Sequence, residues 1–583
     1  MYEVVVGIDF GSSRSGFAYS FFDKNKIIHG QIYGSVEHKF QTEIILDDNN
    51  NILQFGFECV KFLKENGLST GNYFKGIKME LYDNKNTIIA KNSGKEFSLK
   101  LVIQKVLEKI KEIAINEISK NRPYLKQQTE KIKWVVTVPA IWNEHQKSIM
   151  MESSIGAGLV NEYTDKSLFF ALEPEAASLY CLMNKEIDRE HFKKGDYYIV
   201  CDLGGGTGDI AAHLVGSNNN LNEISPSCGG NFGSNEIDKY IFKDIIFKLF
   251  GCYDFNSFCL KYKKINKDNN SNIEDNGKGF LFNDWSELER EIKDFKEGIT
   301  KEKIRNKIKY TINFSLFQDI FVDDIDINDL VAEYNSNIYD GNLKLTARKI
   351  NKRWLVEFPY EIVYNYMKIQ ANSICKIIND INTKEEIKTI IFVGGYCSNE
   401  ILLELIKSDL KKITTVLQPS NPILAVLEGA VLFGIQPSTI NIRKAKYTIG
   451  KDYAAKWNDA LHSKKGEKYY LKELNDWFCK DCFDKFIEVD QNLKYGEEFF
   501  HNSFMEGCSA VINIYKTKKK NPVFVFEDGI TKIGHCKIQI DKEYTTLNDR
   551  QIRVIMKFGG TYIDVTAIHL KSGKSVTTNL IFD

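Results

Sequence analysis

Val6-Gly7-Ile8-Asp9-Phe10-Gly11-Ser12-Ser13-Arg14-Ser15-Gly16 and Val200-Cys201-Asp202-Leu203-Gly204-Gly205-Gly206-Thr207-Gly208-Asp209 follow one plan. Each is an apolar run ending in Asp, then an apolar residue, then a turn of small residues that carries a hydroxyl. Each continues into a second strand-like run, Phe17–Phe22 and Ile210–Val215. That continuation separates them from dinucleotide-binding and P-loop turns, whose glycines lie between a strand and a helix. Both turns are therefore expected at hairpin tips. Small residues there let backbone N–H groups approach an anion closely, and Ser12, Ser13 and Thr207 add hydroxyl donors. Asp9 and Asp202, at strand ends, are candidates to hold hydrated Mg2+, which keeps several waters and takes one or two protein carboxylates plus phosphate oxygens. The pair of tips predicts a repeated unit gripping nucleotide phosphates between two halves. Two unrelated Gly-rich turns are the plain alternative.

A third stretch, Lys388-Thr389-Ile390-Ile391-Phe392-Val393-Gly394-Gly395, reads as a strand ending in a double glycine. Tyr396-Cys397-Ser398 follow, then a helix from about Asn399. Bare backbone and a helix N-terminus suit a ribose or an α-phosphate there. Alone this signal is weak, because many strand-to-helix turns contain glycine.

Farther out, Val4–Ile8, Gly16–Phe22, Lys133–Val138 and Tyr197–Cys201 read as strands. Leu99–Lys120 reads as a helix, with Ile103, Leu107, Ile110 and Ala114 at three- to four-residue spacing and Ser98 at the N-cap. The mixture predicts an α/β fold. Residues 236–380 turn polar and helical, with an Asn- and Lys-rich surface loop at 265–272. The α/β pattern returns over Ile387–Gly434. Past Pro437, glycines and β-branched residues dominate, and Ile552–Lys557 and Thr561–Ile568 flank Phe558-Gly559-Gly560 as a β-hairpin. A further strand is expected at Leu580–Asp583. The organisation expected is a first lobe at 1–195, a second at 196–436 with a helical subdomain at about 236–380, and a β-rich unit at 437–583.

The chain has 583 residues, too many for one core. Lys plus Arg and Asp plus Glu number 78 each, so no net field draws nucleic acid or an anionic membrane. The acidic start of the chain lacks the features of a signal peptide, and no apolar run is long enough to span a bilayer. The 12 cysteines are scattered, several inside apolar runs (Cys181, Cys201, Cys375), which suits reduced thiols in the cytosol. Cys479 and Cys482 form a C-x-x-C, but a closed zinc site needs four ligands and no second pair follows. They read as packing or surface cysteines.

These residues resemble the actin, hexokinase and heat shock protein 70 superfamily. Asp9–Ser13 and Asp202–Asp209 are similar to its two phosphate motifs, and Val393-Gly394-Gly395 to its adenosine motif. Trp134–Ala140 and Leu172–Ala177 resemble segments of the heat shock protein 70 branch. Phe74–Leu81, Ala425–Gly434, Arg443–Gly450 and Arg553–Thr561 resemble its divergent 12A/12B-type group. The resemblance spans nearly the whole chain. It implies a duplicated actin-like ATPase (ribonuclease H-like) fold, two lobes around a nucleotide cleft, and a β-rich C-terminal domain. It implies ATP or ADP with Mg2+ as cofactors. Asp9 and Asp202 would hold the Mg2+ shell; Gly11, Ser12, Ser13, Gly204, Gly205, Gly206 and Thr207 would bind phosphates. Lys78 would neutralise charge on the transferring phosphoryl group. Glu173 would position a water, and Thr207 would bond the γ-phosphate. Pro139 would relay nucleotide state between domains. Lys293 and Lys296 match the region that holds adenosine, beside Gly394 and Gly395. Bland readings stand next to these: a surface lysine at 78, a helix cap at Glu173, a solvated helix face at Lys293 and Lys296.

The chain departs from the classical members in three places. Ser398 stands where an arginine contacts the base. Pro437 and a basic stretch replace the acidic-leucine linker. No helical lid or acidic tail follows residue 450. The expectation is an ATP-binding switch with weak ATPase activity in the cytoplasm, whose C-terminal domain contacts client or scaffolded proteins. The alternatives are a scaffold that binds ATP without hydrolysing it and a small-molecule kinase, for which Asp209 is the formal base.

Overall fold

A computed structural model describes residues 2–24, 26–30, 38–67, 69–162, 165–183, 189–254, 257–258, 278–314, 326–350, 353–383, 386–505 and 507–579; side chains of 189, 278–284, 578 and 579 are outside the description. The loop expected at 265–272 and the strand expected at Leu580–Asp583 lie outside the described residues.

Val4–Asp9 is buried along its whole length and apolar up to Ile8, as a strand covered on both faces requires. It pairs antiparallel with Arg14–Phe21 and parallel with Ile132–Val138, which pairs parallel with Leu168–Leu172. The second sheet repeats this pairing. Tyr197–Leu203 runs antiparallel to Gly208–Val215 and parallel to Thr389–Val393, which pairs parallel with Thr415–Leu417. Leu221–Gly230, Ile440–Lys444 and Asn492–Lys494 extend that sheet.

Two helices, Glu173–Met183 and Ala425–Ile435, lie between the sheets. Their core joins Val5, Ala18 and Val135 of the first sheet to Tyr198, Val200 and Ile391 of the second. Ala425–Ile435 packs on the first sheet and on Glu173–Met183, which in turn lies against the second sheet, so little of it meets solvent and most of its residues are apolar. The helices cross closely: a Cβ on Gly429 would overlap the carbonyl of Ala176. On the outer face of the first sheet, Leu99–Asn121 packs Val102, Val106 and Ile110 against Val4, Val6 and Trp134. Ser98 stands at its N-cap but makes no side-chain cap bond.

The stretch 236–380 is not purely helical. Lys309–Asn313, Thr346–Ile350 and Arg353–Pro359 form a three-stranded sheet beside the helices Lys278–Glu297 and Glu361–Ile381. In Arg353–Pro359 the alternate residues Trp354, Val356 and Phe358 are buried, together with the terminal Pro359. Leu355 between Trp354 and Val356 makes the run apolar without alternation, which masks that period-two signal in the sequence.

Beyond residue 447 two antiparallel sheets face a common core of Ile449, Ile512, Ile514, Val554, Met556 and Val565. The hairpin around Phe558-Gly559-Gly560 is present, with strands Gln551–Lys557 and Asp564–His569 and a longer loop than expected. That loop reaches the first sheet. Thr561 Oγ1 donates to the Phe170 carbonyl at 2.8 Å, and the Tyr562 and Phe170 rings lie 4.9 Å apart. Among the described residues no helix is long and apolar enough to cross a membrane, and the described cysteines are all free thiols.

Candidate nucleotide site

The two tips meet. Gly205 has no room for a side chain because a Cβ would overlap Ser13 Oγ. A Cβ on Gly206 would overlap Ser12 Oγ and Met79 Sδ. Only glycine backbone lets the tips approach this far. The second turn is closed by Gly204 N–H to the Thr207 carbonyl at 3.0 Å. Its carbonyls at 204 and 205 accept the amides of Ser234 and Asn235, at 3.2 and 2.8 Å. Asn235 Nδ2 returns to donate to Ser13 Oγ at 3.0 Å, which ties the tips together a second time.

Carboxylates converge beneath the tips. Asp9 ends its strand, where Thr137 Oγ1 donates to its Oδ1 at 3.3 Å and Lys39 Nζ to its Oδ2 at 2.5 Å. Asp202 lies directly opposite Asp209 across the second hairpin. Like charges placed opposite repel. Lys78 and Glu173 are buried and form an ion pair. Burial pushes the Asp202 carboxyl up to about 7, with Asp209 and Asp9 adding to the shift while Lys39 and Lys78 oppose it. Burial also raises Glu173, to about 8, against the pull of Lys78. Asp209 is raised by burial, with Lys78, the Ala140 amide and Thr207 holding it back. Burial alone would lower the Lys78 ammonium, but Glu173, Asp9 and Asp209 outweigh it and its pKa is raised. The two partners of this ion pair pull in opposite senses: Lys78 is held charged while Glu173 is pushed toward its neutral form. We attribute this to too many acids for the two lysines, Lys39 and Lys78. A hard divalent cation relieves such crowding, and an all-oxygen donor set suits Mg2+.

Gly394 closes the site at the side. Its φ of +89° and its contact with the Asp202 carboxylate, which a Cβ would overlap, both call for glycine. Gly395 faces open space, with Ile423 Cγ1 as the nearest atom a Cβ would meet, at 4.0 Å. Asn399 caps the helix Glu400–Asp409 by accepting the amides of Ile401 and Leu402, each at 3.1 Å. Lys296 is buried, donating to Asp238 Oδ2 at 2.6 Å and to the Ser234 carbonyl at 3.2 Å. It is thus anchored beside the second tip. Lys293 is half exposed and lies 3.9 Å from Glu297 of its own helix.

The structure therefore brings together Asp9, Ser12, Ser13, Lys78, Glu173, Asp202, Gly204 to Thr207 and Gly394, with Gly11 in the first turn. Its backbone is packed so tightly that a Cβ on Gly11 would overlap the Arg14 carbonyl. Lys39 was not legible in the sequence: no motif or spacing ties it to Asp9. Asp209 was legible in principle, because a hairpin centred on the second turn sets it opposite Asp202. A further pair, Lys75 with Glu289, links the motif Phe74–Leu81 to the helix Lys278–Glu297, and Trp285 Nε1 donates to Glu289 at 3.1 Å.

Pro139 and Ala140 follow the strand that carries Thr137. The Ala140 amide donates to Asp209 Oδ1 at 2.7 Å, and its carbonyl accepts Lys446 Nζ at 2.6 Å. A residue next to the carboxylate cluster is thereby tied to the chain entering the C-terminal sheets.

Known proteins resemble this chain. Residues 70–252 match the family model described as Hsp70 protein. The chain is 26% identical to heat shock 70 kDa protein 12A of Homo sapiens, over 99% of this chain and 91% of that protein. It is 24% identical to heat shock 70 kDa protein 12B of Homo sapiens, over 100% of this chain and 91% of that protein. A chaperone protein dnaK of Trieres chinensis is 30% identical over 26% of this chain and 21% of that protein. Fold, site and these matches together define an ATP-binding, heat shock protein 70-like protein, a class whose fold is that of the actin-like ATPases. Within that class the chain resembles the divergent branch of the 12A and 12B proteins over nearly its whole length.

Proposed function

We propose that the chain is a Mg2+-dependent nucleotide switch with slow ATP hydrolysis, built on a duplicated two-lobed ATPase unit at 1–436 and a β-rich domain at 437–583. The observation that carries this reading is the contact of the tips at Gly205 and Ser13 above the Asp9, Glu173, Asp202 and Asp209 carboxyls. In this reading the tip amides and the hydroxyls of Ser12, Ser13 and Thr207 bind phosphate oxygens. Asp9 and Asp202 hold the metal's waters. Bound Mg2+ supplies charge neutralisation on the phosphates. Lys78 adds a cation at the transferring phosphoryl group, and Glu173 orients a water. Gly394, Gly395 and Lys296 border the nucleoside, with Lys293 at the outer edge. ADP and ATP differ in the phosphate that spans both tips, so their affinities for open and closed lobes differ, and that difference drives closure.

The contacts of Lys446 with Ala140 and of Thr561 with Phe170 support transmission to the β-rich domain, which we propose contacts client or scaffolded proteins in the cytoplasm. The Lys39–Asp9 pair favours a second reading, binding without turnover, because it engages a carboxylate proposed for the metal shell. Asp209, the formal base of a kinase reading, accepts the Ala140 amide at its Oδ1. Calorimetric titration with ATP, ADP and a non-hydrolysable analogue, with and without Mg2+, tests the proposal. Absence of binding at millimolar nucleotide would sink it. Tight binding with no released phosphate would select the second reading.

A further inference from the structure

The C-x-x-C at Cys479 and Cys482 lies in the C-terminal sheets, on the strand Asp476–Ile487. In an unbroken strand, residues three apart face opposite sides. Here they do not. Cys479 pairs with Ala455 and Cys482 with Tyr453, so three steps on one strand oppose two on its neighbour. The extra residue makes a β-bulge, with Asp481 inside the C-x-x-C at a φ of +56°. The bulge turns both sulfurs to one side.

A third donor meets them there. His462 closes the short helix Asp459–His462 and is buried. Its Nε2 lies 3.8 Å from Cys482 Sγ, and one donor atom from each of His462, Cys479 and Cys482 falls within 4.8 Å of the other two. Two ligands bound at about 2.0–2.3 Å in tetrahedral geometry stand somewhat under 4 Å apart, so this spacing fits a shared cation. Gly466 makes room: a Cβ there would stand 2.6 Å from Cys479 Sγ and 3.0 Å from His462 Cβ. The surroundings are apolar, with Ala455, Phe524, Trp457 and Val523 packed around the cysteines.

We infer that His462, Cys479 and Cys482 form a Zn2+ site. Two thiolates and one imidazole, with no carboxylate among the described donors, select a borderline-soft cation over Mg2+ or Ca2+. Three protein ligands leave a fourth tetrahedral position for a small exogenous ligand. Binding releases the two thiol protons. It also moves the ring proton to Nδ1, which now accepts the Asn458 amide at 3.0 Å, so that hydrogen bond opens when the metal enters. The site ties the helix Asp459–His462 to the bulged strand, and it is independent of the nucleotide reading.

The experiment uses the full chain, purified reduced and metal-free, then titrated with Co2+ and with Zn2+ against a chromophoric chelator. One Co2+ per chain is expected, with a near-ultraviolet sulfur-to-cobalt charge-transfer band that one equivalent of Zn2+ displaces. His462→Ala keeps both thiols and is expected to weaken Zn2+ by more than the roughly 10–100-fold that loss of a supporting contact costs. Cys479→Ser is expected to remove the band. Should Cys479→Ser not fold, the wild-type band and the His462→Ala titration decide alone. A reduced wild-type chain that shows no such band, or a Zn2+ affinity indifferent to His462→Ala, overturns the inference.

Discussion

Arg443 grips Glu175 with two parallel bonds, Nε to Oε1 and Nη2 to Oε2, each 2.6 Å long. Glu175 is wholly inaccessible, and the third arm of the guanidinium binds the Gly559 carbonyl. One side chain therefore joins the helix Glu173–Met183, the strand Ile440–Lys444 of the second sheet, and the C-terminal hairpin loop. Removing one member of a buried pair strands the other charge. Arg443→Leu is expected to cost about 3–5 kcal/mol in denaturant unfolding. Pairing it with Glu175→Leu is expected to restore part of that loss, and a double mutant as unstable as the sum of the singles would show that the pair is not coupled.

Asp202→Asn is expected to lower ATP turnover by roughly 10²–10³-fold, the scale set by losing one preorganised electrostatic contact. Its fold is expected to survive, because the change relieves the repulsion with Asp209. Phosphate release and thermal melting measured on the same sample separate these effects. Unchanged turnover removes Asp202 from the chemistry.

The contact between the tips makes a steric prediction. Gly205→Ala drives a methyl into Ser13 Oγ, an overpacking of about 1–3 kcal/mol. Nucleotide affinity is expected to fall with it. Adding Ser13→Gly removes the overlapping atom and is expected to recover the melting temperature, but not the share of affinity that the Ser13 hydroxyl supplies. A double variant as unstable as Gly205→Ala would mean that the overlap between the tips is not the cause.

Acidity gives a fourth. Asp202 and Glu173 titrate near about 7 and about 8 in the folded chain, mainly through burial. The unfolded chain loses these protons at ordinary carboxylate pH. The stability they contribute is therefore fully present below that range and is lost as pH rises through about 7 to about 8. Without ligands, the melting temperature is expected to fall between about pH 6 and about pH 8.5 more than in Asp202→Asn. The stabilisation by Mg2+ with ATP is expected to grow over the same interval, as carboxylates become free to take the metal. A stabilisation flat in pH would detach the metal from these acids.

Much of the site was readable because its chemistry is local in the chain. Asp9 to Ser13 and Asp202 to Thr207 carry their own turns, and Gly394 ends its own strand. What was not readable depends on long-range packing. Nothing near His38 or Phe40 announces that Lys39 reaches Asp9, and the link from Lys75 to Glu289 spans distant segments. The sheet within 236–380 hid because Leu355 breaks the alternation of Arg353–Pro359. His462 stands outside any recognisable spacing from the C-x-x-C, and a β-bulge, invisible in composition, brings them together. The hairpin loop at Phe558–Ile563 looked like a simple turn because its partner, Phe170, belongs to another sheet.

Ala140 is held at both ends, by Asp209 on its amide and Lys446 on its carbonyl. Only that residue's own φ and ψ separate the two bonds, and Pro139 stiffens the chain just before it. There is little slack for absorbing a displacement. If Asp209 shifts by a fraction of an ångström, the joint must either twist or hand the movement to Lys446, so a hinge this short behaves more like an axle than a tether.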